Sequence, residues 1–143
     1  MIYTDLTRKA IKIAFEAHDG QFDRSGLPYI LHPVHVAEQM KTEDACVVAL
    51  LHDVIEDTDI TFEDLEKEGF SDTQVEGVRL MTHRPEVDYL EYVRRLKPNS
   101  IAREVKIADL NHNLDPARLP EVTPKDLARF EKYKMALKIL NED

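Results

Sequence analysis

From Leu6 to the C-terminus, apolar residues return every three or four positions, and no stretch sustains the alternation of a half-buried strand. The pattern predicts an all-α chain. A first helix is expected from about Asp5 to Asp19, capped by Thr4, with Leu6, Ala10, Ile13, Ala14 and Ala17 on one side and Gly20 ending it. Residues 20–32, GQFDRSGLPYILH, hold two of the four glycines and the first proline, and read as an ordered loop. A short helix follows from Pro33 to near Met40. Thr42, with Glu43 and Asp44 in the first turn, opens a helix expected to carry the stretch ALLHDVIEDT at 49–58. Capping boxes at Thr61–Asp64 and Ser71–Gln74 start two more. Others are expected from about Val87 to Lys97, from Ser100 to near Leu114, and from Thr123 and Pro124 to about Leu140. Leu127, Phe130, Tyr133 and Leu137 form the packing stripe of that last helix.

One stretch sits badly with its own apolarity. ALLHDVIEDT belongs in a core, yet His52, Asp53, Glu56 and Asp57 are groups that folding usually leaves in water. At about 100° per residue, with His52 at zero, Asp53 falls at about 100°, Glu56 at about 40° and Asp57 at about 140°. Ala45, Cys46 and Ala49 share that sector, while Val47, Val48, Leu51, Val54 and Ile55 lie opposite. An acidic helix face is ordinarily solvated and laced with basic partners, but no Lys or Arg occurs between Val47 and Thr58. Clustered carboxylates in low dielectric are driven toward protonation, and a divalent cation relieves that conflict while accepting a neutral imidazole. Two further segments supply candidate ligands: His32 in PYILHP and Asp109 in VKIADLNHN, the latter among Val105, Ile107 and Ala108.

Composition narrows the chemistry. At 143 residues the chain has the length of one domain, and its formal charge of −9 opposes non-specific binding to nucleic acid or anionic membrane. Cys46 is the only cysteine, which excludes an internal disulfide and the zinc-finger spacings and points to a reducing cytoplasm. The N-terminus lacks the apolar block of a signal peptide, and the longest apolar run, ACVVALL, is far short of the roughly 20 residues that span a bilayer. A soluble protein is expected, and an anionic substrate would need a metal or a local basic cluster to overcome the field.

With His32, His52-Asp53 and Asp109 in that order, the chain resembles the HD superfamily of metal-dependent phosphohydrolases, whose domain is a helical bundle. AHDGQFDRSGLPYILHPVHVA, ALLHDVIEDT and VKIADLNHN are similar to the hydrolase domain of the RelA/SpoT family and its free-standing small alarmone hydrolases, over about residues 14–118. The resemblance implies a single hydrolase domain over residues 1–143, removal of the 3′-pyrophosphate of guanosine 3′,5′-bis(diphosphate), and a divalent metal, Mn2+ in most relatives. It makes His32, His52, Asp53 and Asp109 the metal ligands and Glu56 and Asp57 the pair that activates water. It places Arg24, Ser25, Tyr29, Lys106 and Asn113 at the substrate. The implied partner is a small nucleotide, with no nucleic acid and no membrane; a homo-oligomer is compatible with the pattern.

Three positions depart from the resemblance: Asp23 stands where a base is common, Leu110 where an arginine is, and Pro116 where a small hydroxyl residue is. All three bear on substrate choice, which leaves a nucleoside monophosphate phosphatase and a non-catalytic metal or nucleotide sensor as alternatives. Of the other groups, His18 reads as structural or as a brace for the loop, and His35 as either surface or a neighbour of the ligands. His83 and His112 read as caps or solvent-facing, Arg84 and Arg118 as equally surface or phosphate-facing, and Cys46 as a small buried residue.

Overall fold

A computed structural model describes residues 1–142. Among them the chain is all-helical, with a single β-bridge, Phe22 to Pro28, pinching the loop before the second helix. The helices are α1 (Asp5–Ala17), α2 (Leu31–Glu38), α3 (Glu43–Leu51), α4 (Val54–Asp57), α5 (Phe62–Lys67), α6 (Asp72–Met81), α7 (Tyr89–Leu96), α8 (Ser100–Asn113) and α9 (Pro124–Asn141), with a 3-10 turn at Pro116–Arg118.

The organising element is α3. Every residue from Ala45 to Leu51 is buried, because a helix apolar on all sides has no face to give to water. Helices α1, α2, α6 and α8 pack around it. Its approach to α6 depends on Gly77, where an added Cβ would sit 2.6 Å from Val48 Cγ2. The capping boxes expected from sequence are present at Thr61–Asp64 and Ser71–Gln74, and two more close at Thr4–Thr7 and Thr123–Asp126.

The structure corrects three expectations. Helix α2 starts at Leu31, so Pro33 lies inside its first turn, where the missing N–H leaves no bond unmade. The helix through ALLHDVIEDT is not continuous: Asp53, at φ −100° and ψ −5°, interrupts it between α3 and α4. In α9 the buried residues are Asp126, Ala136 and Leu140, with Tyr133 and Leu137 half-buried, while Leu127 is 57% exposed. The period holds but its phase is shifted: Asp126, bonded to Thr123 and paired with Arg24, takes the inward position, and Leu127 beside it faces out.

Candidate metal centre and its cavity

Three elements that meet at α3 carry the candidate ligands. His32 lies in the first turn of α2, His52 and Asp53 form the break after α3, and Asp109 lies one turn from the end of α8. Their donor atoms converge. Asp109 Oδ1 is 2.8 Å from His32 Nε2 and 3.4 Å from His52 Nε2, and Asp53 Oδ2 is 3.1 Å from His52 Nε2 and 3.7 Å from His32 Nε2. His32, His52 and Asp109 are all buried.

The donor set fits a divalent cation. His52 Nδ1 donates to the Ala49 carbonyl at 2.5 Å, which leaves Nε2 with its lone pair turned toward the carboxylates. That nitrogen is buried and has no hydrogen-bond partner among the described residues. Two carboxylate oxygens and two imidazole nitrogens facing one another require a positive charge between them. The strength of that demand shows at His52: burial opposes a positive imidazole, but Asp53 and Asp109 hold its pKa well above the ordinary value.

The surrounding bonds fix the direction of each donor. Lys106, itself buried, donates to Asp109 Oδ2 at 3.0 Å, and Asn113 Nδ2 donates to Oδ1 at 3.1 Å. Burial would raise the Asp109 carboxyl, but Lys106 and the two imidazoles hold it well below the usual range. Asp53 is likewise penalised by burial and rescued by His52, ending at about 2. Tyr29 donates its hydroxyl to Asp53 Oδ2 at 2.6 Å.

His112 is the residue the sequence reading missed. Rather than capping or facing solvent, it lies 2.7 Å, Nδ1 to Nδ1, from His32, with His35 stacked on its other face at 3.9 Å between centroids. Burial, with Arg118 adding to it, lowers the His112 pKa to about 4, so the ring is neutral, and the tautomer in which its Nδ1 accepts is the one that leaves His32 Nε2 as a metal donor. His32 therefore donates from Nδ1 and keeps Nε2 free for the centre. The signal was available: His112 follows Asp109 by three residues, one turn of the same helix.

A cavity of about 170 Å3 holds all four ligand candidates and is also lined by Glu56, His83, Tyr89 and Tyr92. Glu56 accepts the His83 backbone N–H, and burial, with Asp53 and Asp57 adding to it, raises its carboxyl. Asp57 does not line this cavity; burial and Asp53 raise its carboxyl, while His18 pulls it down. Through Tyr29, Asn113 and Tyr133 the cavity borders a second one of about 280 Å3, lined also by Arg24, Arg118 and Phe130. A larger hollow of about 470 Å3 between α1 and α5 contains none of these groups.

The expected substrate residues all make contacts within the protein. Arg24 pairs with the buried Asp126, Ser25 Oγ donates to the Arg118 carbonyl at 2.7 Å, and Tyr29, Lys106 and Asn113 bind the ligand carboxylates as described above. Of the three departures, Leu110 is fully buried and Pro116 begins the 3-10 turn. Asp23 Oδ1 accepts the Ser25 and Leu27 amides at 2.9 and 3.0 Å, so this acid folds the loop. Cys46 leaves the reactive sector altogether: its Sγ meets Met1 Sδ at 3.5 Å. His18 hydrogen-bonds Gln21, whose amide donates to the Asp57 carbonyl, so it braces the loop.

No family model matches the chain. It is 34% identical over 121 residues to the bifunctional (p)ppGpp synthase/hydrolase SpoT of Escherichia coli, covering 75% of this chain and 17% of that protein. It is 40% identical over 117 residues to the guanosine-3′,5′-bis(diphosphate) 3′-pyrophosphohydrolase of Haemophilus influenzae, covering 71% and 17%. Over 69 residues it is 48% identical to the putative chloroplastic GTP diphosphokinase RSH1 of Arabidopsis thaliana, covering 45% and 8%. The chain thus spans less than a fifth of the length of these relatives. Among solved structures, a metazoan ortholog of SpoT, described as hydrolysing ppGpp and acting in starvation responses, superposes with a TM-score of 0.78 at 24% identity, covering 99% of this chain and 88% of that one.

Proposed function

The chain is of the SpoT/RSH hydrolase-domain type, related by sequence over three quarters of its length and by fold over nearly all of it, and on that premise we propose that it is a divalent-metal-dependent phosphohydrolase acting on guanosine 3′,5′-bis(diphosphate). The reaction proposed is hydrolysis of the 3′-pyrophosphate, releasing pyrophosphate and leaving GDP. The observation that carries this reading is the convergence of four donor atoms, one of them the buried His52 Nε2, which has no hydrogen-bond partner among the described residues.

His32, His52, Asp53 and Asp109 would hold the ion, and Mn2+ suits a mixed set of imidazole and carboxylate donors. A divalent ion there lowers the pKa of water and offsets charge on phosphoryl oxygens. Glu56 lines the cavity with a raised pKa, which makes it a better proton acceptor than an ordinary carboxylate near neutral pH. As the water oxygen bonds to phosphorus, one of its protons passes to Glu56 and the bond to the 3′-oxygen breaks; that oxygen takes up a proton, which Glu56 gives back directly or through solvent, and leaves as the ribose hydroxyl. Asp57, which lies outside this cavity, would act only through its charge, by helping to raise the Glu56 carboxyl. Tyr29 and Lys106 keep the ligand carboxylates oriented while this happens. Arg24 and Asn113, on the neighbouring 280 Å3 cavity, would bind the rest of the nucleotide, with Ser25 holding the loop against Arg118.

Incubation of the chain with a nucleotide panel and Mn2+, with products read by mass, tests this reading. GDP with pyrophosphate is the expected result. Orthophosphate released from nucleoside monophosphates would replace it with a monophosphatase, and silence across the panel would replace it with a nucleotide sensor.

A further inference from the structure

One wall of the 170 Å3 cavity is aromatic. Tyr89, the first residue of α7, is positioned there by His83, Tyr92 and Tyr133, at 5.6, 5.7 and 6.0 Å between ring centroids. Other polar atoms of this cavity are satisfied: Tyr92 donates to the Met81 carbonyl at 2.5 Å, His83 Nε2 to the Val87 carbonyl at 2.6 Å, and Tyr29 to Asp53. The Tyr89 hydroxyl differs. It is closed to solvent, and its proton has no acceptor among the described residues, since the nearby Lys106 ammonium can only donate to it. Buried polar groups are paired in the great majority of native structures, and an exception at a reactive cavity calls for a ligand to complete it.

The charges around the ring say what kind of ligand. Lys106 Nζ lies 5.4 Å and Lys132 Nζ 4.7 Å from the Tyr89 ring centroid, two cations gathered at one side chain in a protein of net charge −9. Burial pushes the hydroxyl pKa up and Lys106 pulls part of it back, so the group is a neutral donor at physiological pH. A donor flanked by cations beside a metal-ligand cluster is suited to an anionic acceptor.

We propose that the Tyr89 hydroxyl donates a hydrogen bond to a phosphoryl oxygen of the pyrophosphate group that reacts at the donor cluster. This rests on the phosphohydrolase reading above and adds to it a residue of α7 that touches the substrate. The group it binds remains in the cavity after cleavage, so the contact is made by the product pyrophosphate as well as by the substrate.

Tyr89→Phe removes only the hydroxyl and keeps the ring in its aromatic cluster. With Mn2+ present, inorganic pyrophosphate is titrated into wild type and variant by calorimetry, alongside Mn2+ alone and a thermal melt. The expected result is pyrophosphate affinity lower by about tenfold or more, the scale of a hydrogen bond to a charged group, with Mn2+ affinity unchanged and Tm not reduced. Pyrophosphate affinity within about twofold of wild type would overturn the proposal. So would a variant that loses Mn2+ affinity or Tm in step with pyrophosphate, since that marks a structural role. A wild type that binds pyrophosphate but leaves guanosine 3′,5′-bis(diphosphate) uncut would overturn the substrate reading alone, and the variant would still decide the role of Tyr89.

Discussion

At the scale of single residues, the site is a set of imidazoles and carboxylates whose protons are assigned by their neighbours. His32 and His52 each spend Nδ1 on a protein acceptor, His112 in one case and the Ala49 carbonyl in the other. Both keep Nε2 for the centre. Removing the His112 ring leaves His32 free to change tautomer or rotate, so His112→Ala is expected to weaken Mn2+ binding by about 10- to 100-fold, as loss of a ligand's orienting partner usually does. Calorimetric titration checks this, and unchanged affinity would show that His32 is held by other means. Glu56 carries a different prediction. Its carboxyl is raised by burial and by Asp53 and Asp57, and only its deprotonated form accepts a proton. Turnover should therefore fall as pH drops through this raised pKa, at a higher pH than an ordinary glutamate would give. Glu56→Gln should lower kcat by about 10²- to 10⁴-fold while Mn2+ still binds. A variant that binds metal and keeps full turnover would remove Glu56 from the role of base.

At the scale of elements, the close crossing of α3 and α6 decides how the core is built. An alanine at 77 would gain about 1 kcal/mol of helix propensity, but its Cβ would meet Val48 Cγ2 at 2.6 Å. Overpacking a filled core costs about 1–3 kcal/mol, and α3 is surrounded on all sides, so the steric effect should win. Gly77→Ala is expected to lower Tm and to loosen Mn2+ binding, because His52 follows directly on the end of α3; a Tm equal to or above wild type would contradict the crossing.

What was legible in the sequence, and what was not, divides along the same lines. The capping boxes at Thr61 and Ser71 could be read because each is made between residues three apart. The order of His32, His52, Asp53 and Asp109 could be read because these residue types stand out against apolar neighbours. The break at Asp53 could not, since no Gly or Pro marks it and the surrounding helices set its backbone angles. In α9, Asp126 is held by its capping box with Thr123, three residues away, and also by Arg24, 102 residues away, and no local pattern records the second pairing. The role of His112 likewise arises from α2 and α8 lying side by side.

At the scale of the whole molecule, an acidic protein is proposed to take a highly anionic substrate. Its positive groups are placed where they count: Lys106 and Lys132 beside Tyr89, and Arg24, Arg118 and Arg129 around the adjoining cavity. The ligand candidates come from three elements packed on one buried helix, so ion binding ties the fold and the reaction to a single point. No helix among the described residues is long and apolar enough to cross a membrane. The central claim is that this point is a metal centre that hydrolyses a nucleotide 3′-pyrophosphate. Its most direct test is the cleavage of guanosine 3′,5′-bis(diphosphate) by metal-stripped protein as Mn2+ is added back, for wild type and for His52→Ala. The account predicts GDP and pyrophosphate from wild type in proportion to bound Mn2+, and none from the variant. Cleavage that proceeds equally without added metal, or no cleavage by metal-loaded wild type, would contradict it.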